Sequence, residues 1–147
     1  MISQKAKYAL KAVIVLAKAD ADQLAIGEIA EQENIPKKFL EQILLDLKHH
    51  GIVVSRRGKA GGYSLLKSPQ DISFGEILRI IDGPIAPLPC LSRMAYRRCE
   101  DCADEAHCEV RRAFAAVADA SRTILDSTSI ASVLRNDQRK IDSLLAG

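Results

Sequence analysis

Residues 26–66 impose the tightest constraint on what this chain can fold into. Two helical apolar patterns, Ile26 to Gln32 and Pro36 to His50, are separated only by the turn Glu33-Asn34-Ile35-Pro36. Proline is tolerated where a helix opens, because the N–H it lacks would be unpaired there anyway. Phe39, Leu40, Ile43, Leu44 and Leu47 then recur at helical spacing as the buried stripe of the second helix. Gly51 stops that helix at the position where a left-handed residue is favoured. Two extended runs follow, Ile52 to Arg56 and Tyr63 to Leu66, around the tip Arg57-Gly58-Lys59-Ala60-Gly61-Gly62. A glycine-rich tip between two such runs predicts a hairpin.

The flanks read as helices. Ala6, Ala9, Leu10, Val13, Leu16 and Ala17 form a helical stripe between Ser3, an N-cap candidate, and Lys18. Ala19 to Gln23 reads as a loop. The capping box Ser73-Phe74-Gly75-Glu76 opens a helix to about Ile81, ended by Asp82-Gly83-Pro84. Residues 83–101 hold Pro84, Pro87 and Pro89 without a clear period and read as an irregular loop. A long helix is expected from Asp104 to Asp126, with Val110, Ala113, Phe114, Val117, Ala120, Ile124 and Leu125 in one stripe, and a last short helix from Ser129. The fold class expected is mainly α with a small β-hairpin wing, that is, a winged helix-turn-helix.

Composition removes several function classes. At 147 residues, 48% hydrophobic and 27% charged, the chain can bury a core without disulfide staples. It has no Trp and only 4% aromatic residues, which argues against a stacking platform for single strands. No apolar run approaches the roughly 18 residues of a membrane span. Lys11 leaves only Ala12 to Ala17 uninterrupted, too short for a signal-peptide core, so a cytoplasmic protein without a membrane partner is expected. No carboxylate pair, Ser-His-Asp set or Walker motif is present, so no enzyme is expected.

Charge is uneven along the chain. Residues 1–67 hold 11 Lys/Arg and 7 Asp/Glu, whereas residues 68–147 hold 10 and 12. A basic N-terminal half is compatible with a polyanion partner. The exposed start of the second helix carries Lys37, Lys38 and Glu41, which can reach base edges or phosphates. The wing adds Arg56, Arg57 and Lys59, with Gly61 and Gly62 allowing close backbone approach. A helix-turn-helix alone is also a packing solution that can serve protein contacts. The cations and glycines crowded between positions 56 and 62 favour DNA.

All cysteines fall in one segment, Cys90, Cys99, Cys102 and Cys108, spaced C-x8-C-x2-C-x5-C. Thiols crowded in a polar loop point to a metal, a cluster or a thiol switch rather than core packing. Thiolates suit both zinc and iron–sulfur clusters. Zinc sites commonly show two short pairs, and only Cys99 and Cys102 form one here. His107 is a weaker ligand candidate. A thioredoxin-like use of Cys99 and Cys102 would need a βαβ context, which this segment does not offer.

Taken together these residues resemble the family of winged-helix repressors and activators that includes IscR, NsrR and RirA. The carriers are Lys7-Tyr8-Ala9, Ile29-Ala30, Phe39-Leu40-Glu41-Gln42-Ile43-Leu44, Arg57-Gly58-Lys59-Ala60-Gly61-Gly62-Tyr63, Gly75-Glu76-Ile77 and Ile81-Asp82-Gly83. The resemblance covers roughly residues 1–135. It implies a DNA-binding domain over 1–82, a cysteine-bearing sensor loop over 83–103, and a dimerisation helix with a C-terminal helix over 104–147. It also implies a homodimer on a palindromic operator in double-stranded DNA. Lys38 and Glu41 would then contact bases, and Arg57 would enter the minor groove. By the same resemblance, a 2Fe–2S or 4Fe–4S cluster would be held by Cys90, Cys102 and Cys108, with Cys99 as substitute or fourth ligand. A zinc site or a direct thiol switch is the alternative. Eleven residues separate Cys90 from Cys102, longer than the family's usual gap, and Arg111 stands where one branch carries a histidine ligand.

Overall fold

The computed structural model describes residues 2–135 and 146. The first helix, α1 (Gln4–Lys18), is capped by Ser3, whose hydroxyl accepts the Ala6 N–H at 3.0 Å. α2 (Ile26–Glu33) ends on Asn34, which takes the left-handed conformation at φ 52°. Asparagine tolerates that region better than other side chains. α3 (Lys37–His49) starts one residue later than expected, because Pro36 stands in the capping position rather than inside the first turn. Gly51 follows at φ 74°, as a helix-terminating glycine should.

The hairpin pairs β1 (Val53–Arg56) antiparallel with β2 (Gly62–Leu65), with Val53 opposite Leu65 and Arg56 opposite Gly62. One rung is added from outside it. Leu24 and Tyr63 exchange both backbone hydrogen bonds, at 2.9 and 2.7 Å, which ties the wing to the entry of α2. A Cβ built on Gly62 would stand 2.5 Å from the Leu24 carbonyl oxygen, so this rung needs glycine. Gly62→Ala is therefore expected to destabilise the fold by about 1–3 kcal/mol, the usual cost of forcing a group into packed backbone. Thermal unfolding of the variant would check it; an unchanged melting temperature would mean the rung is dispensable.

α4 (Phe74–Asp82) is capped by Ser73, whose hydroxyl accepts the Glu76 N–H at 3.0 Å. The expected capping box is only half built. The Glu76 carboxylate accepts instead from Lys67 Nζ at 2.8 Å.

α5 (Glu109–Ser127) begins five residues after the expected Asp104, because Cys108 takes its N-cap. Residues 104–107 form a turn in which Asp104 accepts the Ala106 N–H. α6 (Ile130–Leu134) is capped by Ser129 and returns to the head. Ile130 is fully buried, and its N–H donates to the Ile72 carbonyl at 2.9 Å.

One core holds these elements together. Leu40, Ile43, Leu44 and Leu47 of α3 meet Ala9, Ala12 and Val13 of α1, with Ile29, Ile52, Ile72, Ile77 and Ile130 completing it. Phe39 does not belong there. It is 52% exposed and sets its ring edge-on to Tyr8, centroids 6.2 Å apart. The stripe of α3 is complete without it, and Phe39 lies to one side of that line.

Candidate nucleic-acid interface and cysteine loop

The outward side of α3 and the wing are built from groups that the fold leaves free. Lys37, Lys38 and Glu41 are exposed, and so are Arg56, Arg57 and Lys59. Among the described residues none of these joins an ion pair. By contrast Lys5 is matched to Asp46 at 2.7 Å, Lys11 to Glu33 at 3.0 Å and Lys67 to Glu76 at 2.8 Å. The Lys5 ammonium holds the Asp46 carboxyl below its usual range, and this pair pins α1 to α3 behind the outward face.

Gly61 and Gly62 each have a packing role inside the chain. A Cβ on Gly61 would stand 2.7 Å from the Arg56 carbonyl oxygen, so the tip closes tightly around Gly61, whereas Gly62 is crowded by Leu24. Sequence reasoning misses one outward residue. Leu45 is 43% exposed on the side of α3 away from its core stripe. Helical periodicity carries the signal, since Leu45 falls between Glu41 and His49 on the polar side.

The cysteine loop folds over α5. Cys90 is buried in a 3-10 turn, Pro89–Leu91. Arg122 Nη1 on α5 donates to the Leu91 carbonyl at 3.2 Å and fastens that turn to the helix. The Arg97 N–H donates to the Pro89 carbonyl at 3.2 Å, and the chain comes back on itself. Burial pushes the Cys99 thiol above its usual range, and the neighbouring Cys90 thiol, Asp101 and Cys102 push in the same direction. Cys108 is placed differently, with its Sγ accepting the Arg111 N–H at 3.4 Å. His107 is paired with Asp104 at 2.5 Å and is turned to that carboxylate.

The thiols have the right donor chemistry for zinc or an iron–sulfur cluster, but the geometry does not assemble a ligand set. Among the described residues, no three His, Cys, Asp or Glu side chains come together as a group able to hold a metal ion.

The apolar stripe of α5 divides in two. Ala118 is buried and Leu125 half-buried on the side toward α4, where Arg79 pairs with Asp126. Val110, Phe114, Val117 and Ile124 remain 43–56% exposed. No described helix is long and apolar enough to cross a membrane.

A three-helix head with a cation-bearing hairpin beside an exposed helix start defines a winged helix-turn-helix transcriptional regulator. The chain belongs to the Rrf2 family, whose model, described as an iron-dependent transcriptional regulator, matches residues 2–136. It is 54% identical over 138 residues to a protein of Rhodobacter capsulatus named as an rrf2-like HTH-type transcriptional regulator, covering 91% of this chain and 92% of that one. It is 34% identical over 130 residues to the HTH-type transcriptional regulator CymR of Bacillus subtilis, covering 88% and 86%. The structure of B. subtilis CymR, described as the global cysteine regulator, superposes with a TM-score of 0.74 at 33% identity, over 90% of this chain and 95% of that one. T. potens IscR superposes with a TM-score of 0.71 at 25% identity, over 93% and 88%.

Proposed function

We propose that this regulator binds double-stranded DNA as a homodimer on a palindromic operator, with α3 in the major groove and the wing against the minor groove. The observation that carries this reading is the set of exposed cations, Lys37, Lys38, Arg56, Arg57 and Lys59, without ion pairs among the described residues. Cations already matched to carboxylates would gain little from a phosphate. These are available to displace counterions from it. In this reading Lys38 and Glu41 meet base edges, and Arg57, exposed at the wing tip, enters a narrow minor groove. The exposed half of the α5 stripe supports the second copy. Two heads related by a two-fold axis would read two half-sites.

The sensing element in this reading is the cysteine loop. The family's description as iron-dependent supports an iron–sulfur cluster on thiolates drawn from Cys90, Cys99, Cys102 and Cys108. A direct thiol switch is the second reading, favoured by the crowding of all four cysteines between positions 90 and 108.

The DNA-binding reading is tested by fluorescence anisotropy on a mixed-sequence duplex between 50 and 200 mM salt, roughly the range over which phosphate contacts are strongly screened. The electrostatic part of binding is independent of sequence, so the operator need not be known. Affinity should fall steeply with salt. A flat salt response would remove the assignment of the wing and α3 as a DNA surface.

A further inference from the structure

We infer that Gln42 reads an adenine in the major groove, and that the Lys5–Asp46 ion pair holds its amide in the reading orientation. The inference rests on the reading of α3 as the major-groove helix and names a base that this helix selects.

Gln42 stands on the outward side of α3. Lys38, Gln42, Leu45 and His49 follow one another at steps of three and four residues, and all are exposed. This line runs on the side away from the buried stripe of Leu40, Ile43, Leu44 and Leu47. Gln42 therefore lies one turn beyond Lys38 and beside Glu41, the residues assigned to base edges.

Its amide is tethered. Gln42 Nε2 donates to Asp46 Oδ1 at 3.0 Å, and Lys5 Nζ donates to Asp46 Oδ2 at 2.7 Å. An ionised carboxylate accepts and cannot donate, so the nitrogen end of the amide faces Asp46 and Oε1 is turned away. A Gln–Asp pair four residues apart also supports a bare helix surface. Here the carboxylate is anchored from a second helix as well, because Lys5 belongs to α1. The lysine fixes the carboxylate, and the carboxylate fixes the amide.

What remains for a partner is one N–H and the Oε1 acceptor. Adenine presents the complement in the major groove, an N7 acceptor beside the N6 amino donor. Guanine presents two acceptors, O6 and N7, and would set one of them against Gln42 Oε1. An untethered amide could turn both N–H groups toward guanine, but one is already spent on Asp46. Cytosine and thymine each offer only one of the two polar groups. Leu45, 43% exposed in this otherwise polar line, adds an apolar surface suited to a thymine methyl.

The test is selection of duplexes from a random-sequence library by the full chain. Anisotropy then follows on the selected duplex and on copies with a single base pair exchanged. Gln42→Ala should reduce the discrimination of adenine over guanine at one selected position by about ten- to a hundredfold, the range of a bidentate base contact. Preferences at the other positions should stay as in wild type. Asp46→Ala should admit guanine at that same position. A purely structural role would instead lower affinity for every sequence alike. Identical base preferences in wild type and Gln42→Ala would overturn the inference, as would a uniform loss of affinity or a changed position that prefers a base other than adenine. Adenine preference retained in Asp46→Ala would overturn the positioning role of Lys5 and Asp46. A wild type with a flat salt response and no selected sequence would remove the DNA surface itself. That outcome is distinct from a selected duplex that Gln42→Ala still reads unchanged.

Discussion

Arg57→Ala should lower affinity for an operator duplex about ten- to a hundredfold while leaving the melting temperature unchanged, the range of roughly 1–3 kcal/mol carried by one well-placed arginine contact. The structural reason is that Arg57 contributes nothing to the fold that alanine would remove. It is exposed at the hairpin tip, outside the core, and joins no ion pair among the described residues. Its guanidinium is available for a narrow minor groove, where the phosphates of both strands concentrate negative potential. The salt dependence should weaken as well, by about one unit of slope for each phosphate that the variant leaves unneutralised. Anisotropy titrations of wild type and variant at several salt concentrations give both quantities. Equal affinities would show that the wing stands clear of the DNA, leaving α3 alone to bind it.

If the proposed homodimer is held by α5, Phe114→Asp is expected to yield a monomer and to weaken operator binding by about a hundredfold, the order of gain that linking two binding modules provides. Phe114 is 43% exposed between Val110 and Val117 on the bare half of α5, so the substitution leaves the core of the single chain undisturbed. In the proposed dimer, a carboxylate at the centre of the apolar face would have no partner and would keep its water only if the two copies separate. Sedimentation should give a mass near the 16.1 kDa of a single chain, with the helical circular dichroism of wild type retained. A variant that still sediments at twice that mass would overturn the assignment of α5 as the face between two copies.

The local signals in the sequence account for most of the head. Ser3 and Ser73 are caps in the structure as their spacing to the following helices requires, and Gly51 ends α3 with the left-handed backbone expected of it. These features depend on neighbouring residues, and the sequence displays neighbours directly. The same holds for the hairpin, whose glycine tip and flanking β-branched or aromatic residues sit within a few positions of one another. The exposed cations of α3 and the wing are legible too, since a charged side chain opposite an apolar stripe has few places to go other than solvent.

The elements that differ from expectation share another cause. Phe39 matches the apolar pattern of α3, yet whether it is buried depends on what α1 places against it, and α1 offers Tyr8 at the edge of the core. α5 starts later than the expected Asp104, because an apolar stripe that begins at Val110 says where a helix face lies and not where the first turn is capped; Cys108 decides that. Neither outcome can be read from the period of side chains along one helix.

The sequence by itself determined the class of this protein: the helix-turn-helix, the wing and its charge, and the crowding of cysteines into one segment. Tertiary structure alone decided that Leu24 pairs with Tyr63, that Ile130 returns to the head, and that Cys90 is buried in a turn fastened to α5. Helical and hairpin periods are short-range consequences of backbone geometry, whereas these meetings follow from the path of the whole chain around one packed core.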